Sequence, residues 1–314
     1  MGKKLGRQEA SLILEAPSED MMMVLNAALK IREKYFGRKV KLCVLQNAKS
    51  GACPEDCHYC SQSIISEANV EQYGLKTQGE IEKGADYAHS IGATRYCIVL
   101  SGRGPRDRDI DELVDAVRNI RKKYKLEICC SLGLLDVDKA KRLKDAGVGW
   151  VNHNINTSER FHSEICTTHS YQDRIDTIKS VIEAGLQPCS GGIVGMGETE
   201  EDILDVIETA RELGVASIPI NFLHAIEGTL FEDCGKVDPV WALKVLCLVR
   251  FMIPDKEIRA AGGREHNLGE MQKWAMYPAN SLFVDGYLTT GGQSYEEALK
   301  MITEMGFEVE GVSH

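Results

Sequence analysis

The sequence predicts a (β/α)8 TIM-type barrel with an N-terminal helical extension. Three observations carry this. Short apolar or β-branched runs alternate with helix-length segments eight times in series, the order that builds a parallel sheet. Eight such units fill roughly 250 residues, the length of one closed barrel. No repeat, low-complexity linker or shift in composition marks a second domain. A doubly wound open sheet is the competing arrangement.

Residues 8–36 read as helical, with Met23, Leu25, Ala28 and Ile31 at helical spacing after Glu19 and Asp20 and a stop near Gly37. This divides the chain into an extension, 1–37, and a barrel, 38–314. The strand candidates are Val40–Leu45, Arg95–Leu100, Glu127–Leu132, Gly149–Asn154, Gln187–Ile193, Ser217–Phe222, Glu257–Ala261 and Ser281–Val284. The helices between and after them are expected near 79–91, 108–124, 136–146, 171–185, 199–213, 239–252, 267–275 and 294–305. Helix punctuation agrees. Thr199 precedes three acids, and Asp238 precedes Pro239 at a helix start. Gly147, Gly185 and Gly214 fall just past helix ends, where a left-handed residue is needed.

With 43% hydrophobic and 27% charged residues, the composition is that of a water-soluble globular chain. A net charge of −10 argues against nucleic-acid and anionic-membrane partners, which need a basic face. Met21–Leu25 is too short to span a bilayer, and no apolar core of signal-peptide length follows the charged start. A cytoplasmic location is expected. Eleven cysteines in such a chain are expected to stay reduced, which favours metal or catalytic roles over a disulfide framework. Cys43, Cys234 and Cys247 read as small buried hydrophobes, while Cys166 lies in a polar stretch and has no assigned role.

The segment Cys53-Pro-Glu-Asp-Cys57-His-Tyr-Cys60 places three thiols within eight residues. That is too tight and too polar for a core strand or an amphipathic helix. Cysteine thiolates are the usual ligands of iron–sulfur clusters, and a cubane takes four ligands. Three offered here leave one iron open to a substrate. A closed zinc site is the alternative, with His58 as its fourth ligand.

Alternation along the strands puts Arg95, Cys97 and Val99 on one face, with Tyr96 and Ile98 on the other. Likewise Cys129 and Ser131 oppose Ile128 and Cys130; Asn152, Asn154 and Asn156 oppose Val151 and Ile155; and Cys189, Asn221 and Arg259 each fall on a polar face. The apolar faces are expected to meet the helices. Barrel interiors are ordinarily filled by Val, Ile and Leu, and unpaired polar groups there cost a few kcal/mol each. Cys97, Cys129, Cys189 and Arg259 come from four strands and can meet at the axis as a second metal site; the alternative is four separate, satisfied core residues. Cys130 is expected among packing residues. The run Gly191–Glu198, which includes Ile193 and Gly195, lets backbone approach a ligand. Thr289 and Thr290, after the last strand, can hold a carboxylate. Both stretches also suit ordinary loops.

The three-thiol motif with Tyr59 before its last Cys resembles the signature of the radical S-adenosylmethionine enzymes. Within them the chain is similar to the biotin synthase family over nearly its whole length. The matching stretches are Asn47–Gly51 with Cys53–Cys57, Tyr96–Val99, Asn152–Ser158, Cys189–Gly195, Ile218–Asn221, Ile258–Glu265 and Leu288–Thr290. The resemblance implies a [4Fe–4S] cluster on Cys53, Cys57 and Cys60, with S-adenosylmethionine on its open iron. It implies a second, [2Fe–2S] cluster on Cys97, Cys129, Cys189 and Arg259. A 5′-deoxyadenosyl radical would take hydrogen from C9 and C6 of dethiobiotin, and sulfur from the second cluster would close the ring of biotin. Cys53, Cys57, Cys60 and Arg259 would be catalytic. Tyr59, Asn154, Asn156, Arg174, Gly191, Ile193, Gly195 and Glu198 would bind cofactor; Asn152, Asn154, Asn221, Thr289 and Thr290 would bind substrate. An electron donor such as flavodoxin or ferredoxin and a homodimer are also implied. Two departures stand out: Asn156 replaces an acid that some members carry at the ribose, and Cys130 adds a thiol beside Cys129, so that with the register shifted by one Cys130 is the ligand, or the second cluster is of a different type. A sibling radical enzyme acting on another small molecule, or a non-catalytic iron–sulfur or zinc-binding protein, are the rival readings.

Overall fold

A computed structural model describes residues 5–311; the outermost residues of both predicted units lie outside it. The extension is two helices, not one. α1 (Arg7–Glu15) ends at Ala16, a single 3-10 turn spans Ser18–Asp20, and α2 (Met21–Phe36) follows. Pro17 explains the break, because it removes a helical N–H and clashes with the preceding turn.

The repeating part runs β1 (Lys39–Lys49), α3 (Gln78–Ser90), β2 (Arg95–Leu100), α4 (Asp107–Lys123), β3 (Glu127–Ser131), α5 (Val137–Ala146), β4 (Trp150–Asn152), α6 (Tyr171–Glu183), β5 (Gln187–Cys189), β6 (Gly192–Val194), α7 (Glu200–Glu212), β7 (Ser217–Phe222), α8 (Pro239–Met252), β8 (Glu257–Ala260), α9 (Arg264–Leu268), β9 (Ser281–Val284), α10 (Tyr295–Glu304) and β10 (Glu308–Val309). All strand pairings in the ring are parallel, and β9 pairs back onto β1 through Lys41↔Ser281, closing the barrel. The open-sheet alternative is thereby excluded. The caps act as the sequence suggests: Thr199 and Asp202 bond each other's backbone, Asp238 Oδ1 accepts from Trp241 N at 2.8 Å, and Gly147 takes φ 108°.

Four boundaries differ from expectation. The fifth strand is interrupted at Ser190–Gly191, and both halves pair with β7. Gly191 presses so close to the neighbouring strand that a Cβ would lie 1.9 Å from the Pro219 carbonyl oxygen. β4 is only three residues, after which the chain leaves the ladder and Asn156 turns to φ 72°. The segment expected as a helix over 267–275 is mostly a 3-10 stretch, Gly269–Met276, following α9. β10 was not foreseen; it pairs with Lys39 and Val40 at the foot of β1.

The predicted faces hold. Tyr96, Ile98, Ile128, Cys130 and Val151 enter the apolar layer between sheet and helices, each large aliphatic side chain contributing roughly 1.5–3 kcal/mol. Cys97, Cys129 and Cys189 are equally buried but lie outside that layer. The extension packs on α8: Leu14, Leu25 and Ala28 are buried, and Lys244 Nζ donates to the Leu14 carbonyl at 2.9 Å.

The barrel floor is ionic. Arg95 donates twice to Glu257, at 2.8 and 2.9 Å, and once to Glu127 at 2.9 Å. Arg259 donates to the same Glu257 at 2.6 Å, and Ser217 Oγ does so at 2.9 Å. Burial favours the neutral carboxyl, but Arg259 and Arg95 overcome it and hold Glu257 at about 2. A folded-state pKa below the ordinary 4.5 stabilises the fold above that value and loses the effect as pH falls towards 2. Glu257→Gln is therefore expected to cost about 3–5 kcal/mol at neutral pH and to flatten the pH dependence of unfolding between those values; urea midpoints across that range provide the check. Leu25→Ala should lower the urea midpoint by the equivalent of about 2–4 kcal/mol at an unchanged slope.

Candidate active site

The cysteine loop follows β1 at the carboxyl ends of the strands, the face where barrel enzymes place their sites. Gly51 and Ala52 both take positive φ, and the Gln62 side chain ties the loop by accepting from Ser50 Oγ and Gly51 N. A Cβ on Gly51 would lie 2.5 Å from Gln72 Cγ. Cys60 N bonds the Cys57 carbonyl, and Cys53 N bonds that of Gln62, so the loop folds back on itself. As a result Cys53, Cys57 and Cys60 all border one cavity of about 300 Å³. His58 does not: its ring packs edge-on against Phe231 at 5.8 Å. The closed zinc site with His58 as fourth ligand is thereby lost.

Burial raises the Cys60 thiol to about 11 and raises Cys53 as well. Cys57 is raised because it donates to Cys166 Sγ, 3.8 Å away, and Cys166 is lowered to about 4 by accepting that bond. Three thiols that resist ionising alone, but share a cavity wall, fit a multivalent cationic centre that would draw off their protons.

Tyr59 is half-buried, and desolvation raises its hydroxyl well above the ordinary range. With its amide oxygen facing them, Asn156 accepts from the Tyr59 hydroxyl and from Arg174 at 3.2 Å. Arg174 also donates to the Asn154 carbonyl at 3.0 Å, while its Nε has no partner among the described residues. An orphaned guanidinium N–H beside this cavity suits an anionic ligand group.

A second cavity, of about 260 Å³, continues towards the floor and shares Tyr59, Asn152, Asn154, Ile193 and Asn221 with the first. Cys97, Cys129 and Arg259 line it. Cys97 and Cys129 are paired neighbours on β2 and β3. Cys189 lies alongside, 3.5 Å from Asn152 Nδ2 and 3.8 Å from Arg259 Nη1. The three interior thiols and the guanidinium thus come together, as the alternation implied. Their protons are unequally shared. Cys129 retains its own through bonds to Cys189 and Cys97, which lowers Cys97 and holds Cys189 at about 5. Burial opposes the charge on Arg259, but Cys43, Glu257 and Cys189 keep it protonated. Cys130 points into the helix-side layer, where burial lifts it to about 12.

The remaining predicted residues divide. Asn152 and Asn154 are held by Cys189 O and Gly191 N, and Asn221 by Gly262 N at 3.0 Å. Thr289 and Thr290 border the second cavity, with Thr289 Oγ1 2.8 Å from Ser61 Oγ. Ile193 reaches both cavities, but Gly191, Gly195 and Glu198 do not border them. The Glu198 carboxylate accepts from Gly195 N and Met196 N, both at 2.7 Å, and burial raises its pKa.

Two cysteines and an acid were missed. Cys43 is buried inside the ring rather than in the helix-side layer, with Sγ 3.5 Å from Ser281 Oγ, which in turn accepts from Arg259 Nε at 3.0 Å. Strand alternation signals this, since Cys43 shares a face with the cavity-lining Leu45. Glu257 shares the face of Arg259 two residues on. Cys166 had no periodic signal, because it sits in a loop. Cys247 is a core residue as expected, and Cys234 is only partly buried.

Known proteins resemble this chain along almost all of its length. The radical SAM superfamily pattern matches residues 48–210, and the biotin and thiamin synthesis associated domain matches 219–308. Biotin synthase of Bacillus subtilis strain 168 is 50% identical over 99% of this chain and 93% of its own length. That of Geobacillus kaustophilus is 48% identical over 98% and 93%. Among solved structures, methylornithine synthase (PylB) superposes with a TM-score of 0.85 at 18% identity, covering 98% of this chain and 95% of its own. The hydrogenase maturase HydG from Carboxydothermus hydrogenoformans gives 0.83 at 18%, covering 99% and 77%. The latter two share the fold. At half identity over nearly its whole length, the chain belongs to the biotin synthase family of the radical SAM superfamily.

Proposed function

We propose that this chain is a radical sulfurtransferase that converts dethiobiotin to biotin by placing sulfur between C6 and C9. The observation that carries this is two thiol groups of different make-up bordering cavities that share one wall. A radical enzyme without sulfur transfer has no use for the inner set, which is the argument against a sibling activity. A passive cluster carrier has no use for the connected cavities.

Superfamily membership brings a [4Fe–4S] cluster and S-adenosylmethionine. In our reading Cys53, Cys57 and Cys60 hold that cluster, and Cys97, Cys129, Cys189 and Arg259 would hold a [2Fe–2S] cluster, Arg259 giving up to the incoming metal the proton it keeps in the cluster-free chain. When bound, the first supplies the electron that splits S-adenosylmethionine to a 5′-deoxyadenosyl radical, and the second supplies the sulfur. The chain's own groups bind and orient. Arg174, with its free N–H, faces the carboxylate of the methionine moiety. Tyr59 and Asn156 brace Arg174 and border the nucleoside; Asn156 offers an amide there and no carboxylate. Ile193 packs on the adenosine, while Gly191, Gly195 and Glu198 shape the turn behind it. Asn152, Asn154 and Asn221 present amides to the ureido end of dethiobiotin, each pre-oriented by backbone. Thr289 and Thr290 take its carboxylate. The enclosed walls keep water from the radical.

In the same reading, the extension of 1–37 braces α8 through α1 and α2, and the barrel of 38–314 carries the chemistry. Family membership is the support for a homodimer and for a flavodoxin- or ferredoxin-type electron donor. No described helix is long and apolar enough to cross a membrane, and we assign the chain to the cytoplasm.

Incubation with dethiobiotin, S-adenosylmethionine and a reductant, read by mass spectrometry, tests the proposal: biotin is the expected product. Cys97→Ala should retain deoxyadenosine formation and lose biotin; biotin at normal yield would refute the inner set as sulfur site. Cys57→Ala should lose both products, and surviving deoxyadenosine would remove Cys57 from the first cluster.

A further inference from the structure

Cys166 has no part in the reaction above, yet its surroundings are unlike those of a packing cysteine. Its Sγ lies 3.8 Å from Cys57 Sγ, 3.3 Å from His169 Nδ1 and 3.8 Å from His169 Nε2. Asp56 Oδ1 approaches it at 3.2 Å and Thr168 Oγ1 at 3.5 Å. One ligand atom from each of Cys57, Cys166 and His169 lies within 4.8 Å of the others.

We propose that Cys57, Cys166 and His169 form a binding site for a thiophilic divalent cation of the zinc type, and that a cation there excludes the first iron–sulfur cluster by taking Cys57.

The thiol spacing matches such an ion. Two thiolates about 2.3 Å from a tetrahedral zinc sit about 3.8 Å apart, and a thiolate and an imidazole nitrogen about 3.6 Å apart. The Cys57–Cys166 separation, 3.8 Å, falls on the first of these edges; Cys166 Sγ is nearer His169 Nδ1, 3.3 Å, than Nε2, 3.8 Å, so an ion on Nε2 requires the ring to turn. The histidine is held from behind. Its Nδ1 is bonded to the Glu55 carboxylate, which is itself held by Thr168 Oγ1 at 2.8 Å and Arg103 Nη1 at 3.1 Å. Nε2 is left for the metal, with a carboxylate behind the ring, the arrangement that fixes the tautomer of metal-bound histidines. Cys57 and His169 both border the 300 Å³ cavity, so the ion has a route in. Cys166 does not border it. It therefore lies behind Cys57, off the cavity wall that Cys57 shares with Cys53 and Cys60. Three protein ligands leave a fourth position for water, and binding releases the thiol protons.

The cation site rests on geometry alone; its antagonism to the cluster rests on the functional reading of Cys57. Cobalt(II) serves as the spectroscopic probe, added anaerobically to the cluster-free full-length chain against a competing chelator. One equivalent with tetrahedral d–d bands and thiolate charge transfer is expected, displaced by zinc. Cys166→Ser and His169→Ala should each weaken it by at least the roughly 10–100-fold that outer-sphere changes cost, with unchanged far-ultraviolet circular dichroism. Cys53→Ser and Cys60→Ser should leave it intact. A signal that survives Cys166→Ser and vanishes in Cys53→Ser would overturn the site, as would the absence of tetrahedral cobalt. Iron–sulfide reconstitution after one equivalent of zinc should lose the first cluster's iron, and Cys166→Ser should restore it; undiminished iron uptake in the zinc-loaded wild type would overturn the antagonism. Cobalt binding as expected in a chain that never takes up iron would uphold the site and count against the functional reading instead.

Discussion

The carboxylate of Glu257 is the interaction on which the inner half of this barrel depends. It bonds Arg95 with both oxygens and shares one of them with Arg259, and all three side chains are buried. Two guanidiniums in a dry interior without a counter-charge would each be strongly destabilising. With Glu257 between them, and Glu127 on the far side of Arg95, the floor is ionic but nearly neutralised. That is what allows a cation to remain beside Cys189 and Cys97, where it adds to the bonds from Cys129 that lower both thiols. The interior is chemically active because its lowest layer is fixed.

Above the floor, the polar side chains are already aimed. Asn152 is bonded to the Cys189 carbonyl, Asn154 to Gly191 N, and Asn221 to Gly262 N. None must find its rotamer when a ligand arrives, which limits the entropy lost on binding. The same wall serves both cavities, so a molecule in one is held against a molecule in the other. In the proposed reading, a radical generated on one side would have a short path to a substrate on the other.

Much of this was legible in the sequence, because a strand's period of two carries three-dimensional information. It was enough to put Cys97, Cys129, Cys189 and Arg259 together and to send Cys130 outward. The closed ring followed from counting units. What escaped had local causes. Pro17 splits a helix whose apolar spacing continues across it. Gly191 breaks a strand because of a neighbour far away in sequence, the Pro219 carbonyl. Cys43 was read by residue type as packing, although its register pointed inward. Cys166 belongs to a loop between β4 and α6, and its approach to Cys57 across 109 residues has no periodic signature.

The short pairing of β10 with the foot of β1 has a practical consequence. Lys39 and Val40 open β1, whereas the cysteine loop follows its other end, so Glu308 and Val309 are anchored at the pole opposite the cavity entrance. Tethering the protein to a surface through a peptide added after His314 would therefore orient the entrance outward, towards free solution.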